Sequence, residues 1–338
     1  MRLDDRPEPL SDAAALLVEA VALGVCGTDR EIIEGAYGSS PTGSDRLVLG
    51  HESLGRVLST PPASSFAAGD LVVGIVRHPD PVPCAACAEG EWDMCRNGRY
   101  IEHGIKALDG FAAERFHLDP KFAVKVAPSL GLCGVLLEPA SVLAKAWEHI
   151  DRVGGRTRSW RPRSVLVTGA GPVGLLAALM ARQRGLDLHV FDRNRAGPKP
   201  GLVRALGGTH HAIDIPDDLA PDIVIECTGA PAVVVDMLSR TSSAGIVCLT
   251  GISSPGQALP FDAGAFNRSM VLRNDLVFGS VNANRRHYEL AERSLAMADP
   301  DWLAGLITRR VPLARWHEAF ERRSGDVKVV LTFDGDGP

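Results

Sequence analysis

Cys26 in the stretch GVCGTD and the pair His51-Glu52 in LGHESLGRV offer a thiolate, an imidazole and a carboxylate inside glycine-punctuated apolar sequence. Glu138, in LLEPASV, is a second lone carboxylate in apolar surroundings. Burying it is costly unless it is paired or metal-bound. These are the donor types of a zinc site that keeps one position open and acts as a Lewis acid on a bound oxygen. Gly24 and Gly27 flank Cys26 as in a tight turn at a strand end. The spacing fits equally well a buried thiol, a hydrogen-bonded core histidine and a carboxylate at a helix start, so both readings stand at this level.

A second chemistry-bearing stretch is Gly169-Ala-Gly171-Pro172-Val173-Gly174, which follows the apolar run SVLVT and opens LLAALM. A strand before and a helix after make G-x-G-x-x-G a dinucleotide-binding signal. Gly169 allows the tight turn, Gly171 lets the backbone approach a pyrophosphate, and Gly174 permits close helix–strand packing. The helix N-terminus supplies N–H donors and a positive dipole end to the phosphates. Asp192 closes the next strand, where an acid binds the ribose hydroxyls of NAD and repels a 2′-phosphate. Arg193 and Arg195 follow at once and could accommodate that phosphate, so NAD is favoured and NADP stays open. Thr228, at the end of DIVIECTG, is assigned to the same cofactor site.

Seven cysteines are present, and Cys84, Cys87 and Cys95 cluster. In a long chain, clustering suggests metal or catalysis more than disulfides. Cys133, Cys227 and Cys248 read as small core residues.

The elements that must hold these residues follow from the texture of the chain. Residues 1–150 carry short β-like runs separated by Gly and Pro, and then a helical stretch at Val135–Ile150. Asp151–Arg163 is polar and Arg/Gly-rich, as at a boundary. From Ser164 short apolar strands alternate with helices, which predicts βαβ units and a parallel sheet. The expected class is α/β. A β-rich domain at 1–150 precedes a doubly wound Rossmann domain at 151–289 and a mixed tail.

With 338 residues, two domains are expected. A formal net charge of −5 gives no basic footprint for nucleic acid. No apolar run approaches the roughly 20 residues of a membrane helix. MRLDDRPEPL is unlike a signal peptide, so the expected location is the cytoplasm.

GVCGTD, LGHESLGRV, AAGDLVVG, the clustered cysteines and VLVTGAGPVG stand in the order of the zinc-dependent medium-chain alcohol dehydrogenases, whose β-rich domain is GroES-like. The chain resembles most the microbial glucose (aldose) 1-dehydrogenases, on GTDREIIEGAYG, RNGRYIEHGIKALDGF, FDRNRAGPKPGLVRALGG and VFGSVNANRRHYE. The resemblance implies a catalytic zinc with Cys26, His51, Glu52 and Glu138 as its ligand set. Glu138 would bind directly, through water, or contact the substrate instead. Thr28 would relay the alcohol proton. Glu102 and Asn282 would lie near the sugar, Asn282 also near the nicotinamide, and His287 would either reach the sugar or lie at the surface. The resemblance also implies that 290–338 completes the β-rich domain at 1–150 as its catalytic domain.

The reaction implied is hydride transfer from C1 of an aldose to NAD(P)+, giving a lactone, with polyol or cyclitol oxidation as the alternative. A non-catalytic NAD(P)-binding protein would not need Cys26, Thr28, His51 and Glu52 together. Val142 stands where relatives often carry an acid. The family's cysteine lobe holds a structural zinc with four cysteines. Here Pro81 replaces the first, and Asp80 or His78 is expected to join Cys84, Cys87 and Cys95 as the fourth ligand, with Asp80 preferred. A homo-oligomer, tetramer or dimer, is also implied. Relatives begin with a strand that this chain does not show ahead of Met1.

Overall fold

A computed structural model of the chain describes residues 1–8, 12–254, 256 and 258–333. It forms two compact units, Met1–Ser141 with Asn282–Pro338, and Val142–Val281.

The first unit is built on the strand Leu16–Val25, whose burial alternates over six residues and then becomes continuous. That change follows from its neighbours. Glu52–Ser59 runs antiparallel beside it, while Arg115–Leu118 and Lys328–Thr332 share its other edge, the latter at the C-terminal half. The sheet continues as Ile307–Pro312, Lys328–Thr332, Leu16–Val25, Glu52–Ser59, Leu71–Gly74 and Ala123–Lys125. Leu16, Val18, Val57, Val72, Phe111, Leu118, Val329 and Leu331 are among its core. The register pairs Gly24 with both Glu52 and Val330, and Val25 with Val329. Two distant charged residues, Glu52 and Lys328, are thereby brought to the end of the strand that leads into Cys26.

A three-stranded sheet, Arg77–His78, Ile101–His103 and Ala107–Leu108, carries Glu102. Its histidines are kept neutral. Burial and the neighbouring His103 hold His78 down to about 3, and burial holds His103 down to about 4. His78 stacks on Phe122 with ring centroids 3.6 Å apart. The unfolded value is near 6.5 and the folded values are lower. Their contribution is therefore complete above about pH 6.5 and is lost as pH falls toward the folded values, by about 2 kcal/mol per ring at about pH 5. His78→Phe is expected to flatten the fall of unfolding free energy between pH 7 and 5 by roughly one proton's worth. An unchanged slope would contradict this reading.

The second unit is a six-stranded sheet in the order Thr209–His211, Asp187–Phe191, Ser164–Thr168, Ile223–Glu226, Ile246–Leu249 and Leu276–Gly279. All neighbouring strands are parallel. The strand order reverses between Ser164–Thr168 and Ile223–Glu226, the switch point at which such sheets bind ligands. Leu166, Val224, Met237 and Val247 pack on one another in its core.

By length and composition the helical run Pro128–Gly154 could cross a membrane, yet 72% of its most apolar window is buried inside the protein. Its hydropathy is that of a core helix.

Candidate functional site

The strand Leu16–Val25 ends one residue before Cys26, which adopts an extended conformation and caps the helix Gly27–Ile33. The amide of Thr28 donates to Cys26 Sγ at 3.2 Å, and the amide of Cys26 donates to Asp29 Oδ2 at 2.9 Å. This reciprocal cap fixes both side chains at the helix start. His51 enters from the strand that begins at Glu52, with its Nε2 3.0 Å from Cys26 Sγ. Its Nδ1 lies 3.3 Å from Asp29 Oδ1. A carboxylate behind an imidazole fixes the ring's orientation and strengthens its other nitrogen as a ligand.

Donor atoms of Cys26, Asp29 and His51 lie within 4.8 Å of one another, as do those of His51, Glu52 and Glu138. His51 joins the two sets. Glu138 projects from the first turn of the helix Leu137–Gly154. Burial, reinforced by the nearby Glu52, raises its carboxyl to about 7 despite the opposing pull of His51. Burial also opposes charge on His51, but the Cys26 thiolate and Asp29 carboxylate outweigh it and lift the ring well above its usual range. Four acidic groups thus face one imidazole and one ammonium in a nearly dry site. Such a site attracts positive charge, either protons or a divalent cation. Its thiol, imidazole and carboxylate donors suit zinc.

Glu52 stands differently from the other donors. Both its oxygens accept from Lys328 Nζ, at 2.7 and 2.5 Å, and Lys328 also reaches the Val25 carbonyl at 3.5 Å. Lys328 is fully buried, and Glu52 lifts its pKa against the burial that would lower it. A Cβ at position 24 would come within 2.0 Å of Glu52 Oε2, so Gly24 is the residue that admits this pair.

Glu102 is buried, and its Oε1 accepts from Arg77 Nε at 2.9 Å and Asn282 Nδ2 at 2.8 Å. Its Oε2 has no hydrogen-bond partner among the described residues. Asn282 takes a left-handed backbone with φ of 61°, which directs its side chain to Glu102 and to the Ala283 amide. His287 is buried in the cap of the helix Arg285–Ala296, where Nδ1 accepts from the Asn284 amide at 3.2 Å. It faces Asp93, not the surface.

In the second unit Gly169 has φ of 88°, and Gly171 caps the helix Pro172–Gln183, with Pro172 in its first turn and Val173 beside it. A Cβ at Gly174 would meet the Gly169 carbonyl at 1.8 Å, whereas one at Gly171 would meet nothing within 4 Å. The turn is closed where the helix packs and open where a pyrophosphate would lie. Asp192 Oδ2 accepts from the Ala170 amide at 2.8 Å and Oδ1 from the Asn194 amide at 2.9 Å. The carboxylate therefore braces the glycine turn as well as ending its strand, and Lys199 Nζ lies 3.6 Å away. Arg193 and Arg195 are exposed. Thr228 donates through its amide at 2.7 Å, and through its hydroxyl, to the buried Glu226. Thr168 and Gly229 donate to the same carboxylate at 3.2 Å.

The sulfurs of Cys84, Cys87 and Cys95 also lie within 4.8 Å of one another. Asp80 is not brought to them. Its carboxylate accepts from the Val82 amide at 2.8 Å, Asn97 Nδ2 at 2.8 Å and Arg99 Nε at 3.1 Å. Its lone pairs are used inside its own loop, which is why sequence proximity did not make it a fourth ligand. Burial pushes the thiols of Cys227 and Cys248 far up, Cys227 to about 12; Cys248 is a core residue as expected, while Cys227 is half-buried.

Residues 12–128 match the model of the alcohol dehydrogenase GroES-like domain, and residues 131–333 that of the glucose dehydrogenase C-terminus. Glucose 1-dehydrogenase 1 of Caldivirga maquilingensis is 40% identical over 98% of this chain and 95% of its own length. The glucose 1-dehydrogenase of Thermoproteus tenax is 41% identical over the same shares. Among solved structures, Haloferax mediterranei glucose dehydrogenase in complex with NADP, Zn and gluconolactone superposes with a TM-score of 0.91, at 32% identity. That match covers 98% of this chain and 96% of that one.

Proposed function

The chain belongs to the glucose dehydrogenase family of GroES-like alcohol dehydrogenases, and from that we propose that it oxidises an aldose at C1 with NAD(P)+, giving the lactone. The observation that carries the proposal is the placing of His51 between two donor sets: Cys26 Sγ is 3.0 Å from one ring nitrogen with Asp29 behind the other, and His51 also clusters with the buried carboxylates Glu52 and Glu138. In this reading residues 1–141 with 282–338 carry metal and sugar, and 142–281 the dinucleotide.

Cys26, His51 and Glu138 would hold the zinc, which supplies Lewis-acid polarisation of the sugar O1. Asp29 orients His51. Lys328 pairs with Glu52 and occupies both its oxygens, which leaves Glu138 as the freer carboxylate ligand. The Thr28 hydroxyl, able to donate and accept, passes the O1 proton away from the sugar. Glu102 Oε2 accepts a sugar hydroxyl, with Asn282 and Arg77 holding the carboxylate still. The hydride leaves C1 for the nicotinamide as the C1–O1 bond becomes a carbonyl. The Gly169–Gly174 turn, Pro172, Val173 and Thr228 bind the cofactor.

The test is a panel of aldoses and open-chain polyols with NAD+ and NADP+, followed by nicotinamide absorbance. Aldose turnover with lactone formation is expected. Turnover of polyols alone would contradict the proposal.

Asp192→Ala removes both the ribose-side carboxylate and the brace on the Ala170 amide. Losing one hydrogen bond to a charged group, about 1.5–3 kcal/mol, should raise KM for NAD+ by about tenfold or more. KM for NADP+ should rise less, because repulsion of the 2′-phosphate is lost as well. An unchanged ratio of the two would count against the assigned role.

A homo-oligomer is part of the same proposal. It is supported by the edge strand Leu276–Gly279 and by the helix Ala263–Arg273, which has no buried residue and exposes Val271 and Leu272. A monomer by light scattering would overturn it. A cytoplasmic location also belongs to the proposal and is supported by seven free cysteines.

A further inference from the structure

The cysteine lobe differs from the closed, four-ligand site that the resemblance implies. The short helix Ala85–Ala88 starts from Cys84, whose Sγ accepts from the Arg96 amide at 3.4 Å. Cys87 is buried, and its Sγ lies within 4.8 Å of both other sulfurs. A backbone N–H aimed at sulfur stabilises thiolate, the form that binds metal. The lobe is therefore built for cation binding at three corners.

Among the described residues no histidine, cysteine or carboxylate side chain supplies a fourth corner. Pro81 has no side-chain ligand atom, and the Asp80 carboxylate faces Val82, Asn97 and Arg99. Among the described residues no histidine or carboxylate joins the three sulfurs within 4.8 Å. Cys84 and Cys95 are only half-buried, so solvent reaches the cluster. Four-coordinate structural zinc is held because every position is a protein ligand. Three thiolates with a solvent-facing position lack that closure, and soft thiolates favour thiophilic ions.

We propose that Cys84, Cys87 and Cys95 form an open three-thiolate site that takes up a thiophilic divalent cation exchangeably. Water or a small exogenous thiol completes the coordination. Asp80 serves the site through the shape of its loop.

The full-length holoenzyme tests this with a colorimetric zinc chelator and with Cd2+ loading read by thiolate-to-metal charge-transfer absorption. Two zinc pools are expected, one retained and one released quickly. Cys87→Ser should remove the fast pool and the charge-transfer band while leaving the retained zinc in place. Pro81→Cys supplies a fourth thiolate. It should strengthen the band by about a third and slow zinc release at least tenfold. Asp80→Asn should leave affinity within about twofold.

A lobe zinc released as slowly as the retained one, and loosened tenfold or more by Asp80→Asn, would overturn the proposal in favour of a closed site. Absence of any Cd2+ band in the native protein would overturn it also. Neither result bears on the Cys26 site, because the retained pool is read separately.

Discussion

Cys26→Ser is expected to lower kcat/KM for sugar oxidation on the order of a thousandfold and to abolish retention of the slowly released zinc. A serine hydroxyl at Cys26 keeps the helix cap but is a poor zinc ligand. Losing several kcal/mol of Lewis-acid stabilisation, at about 1.4 kcal/mol per decade of rate, gives that magnitude. The chain should stay folded, because the strand before Cys26 is held by three others. Asp29→Asn is the graded control. It leaves all donors in place but weakens the brace on His51 Nδ1, and the loss in zinc affinity should be about 10- to 100-fold. Wild-type zinc content in Cys26→Ser would show that the metal is held elsewhere.

Lys328→Met should destabilise the first unit by about 3–5 kcal/mol, because it leaves the Glu52 carboxylate buried without its cation. Removing both charges, as in the double variant Glu52→Gln with Lys328→Met, should return most of that loss, since an apolar or neutral replacement of a whole buried pair is often tolerated. Denaturant midpoints of the two single variants and the double variant read this directly. The coupling should amount to a few kcal/mol, and additive losses would mean that the pair does not interact as described. Zinc retention adds a second readout. The double variant should keep its zinc if Cys26, His51 and Glu138 are the ligands, and lose it if Glu52 is one.

Some of these relations were visible in the chain and some were not. The glycine turn was legible because its three glycines sit between a strand and a helix; the structure gives Gly169 a positive φ and Gly174 a close carbonyl, and leaves position 171 open. The β-rich first part and the parallel sheet were legible from short apolar runs and their punctuation. The strand Thr209–His211 was not, because Thr-His-His carries no apolar signal and the strand lies at the sheet edge. Lys328 lies 276 positions from Glu52, and only the sheet register unites them. A faint signal existed, a lysine inside the apolar run VKVVLTF, as did a glutamate inside DIVIECTG, which proved to be the brace of Thr228. A lone charge in such a run asks for a partner. Asp80 shows the opposite limit. Its position beside the cysteines suggested a ligand, but hydrogen bonds within its loop decide where a short side chain points.

The most direct test of the central claim is oxidation of an aldose carrying deuterium at C1, with NADP+ as acceptor and mass analysis of both products. The account predicts that the deuterium appears on the reduced nicotinamide and that the sugar product is the unlabelled lactone. Reduced cofactor without deuterium, formed while the label stays in the sugar, would contradict it.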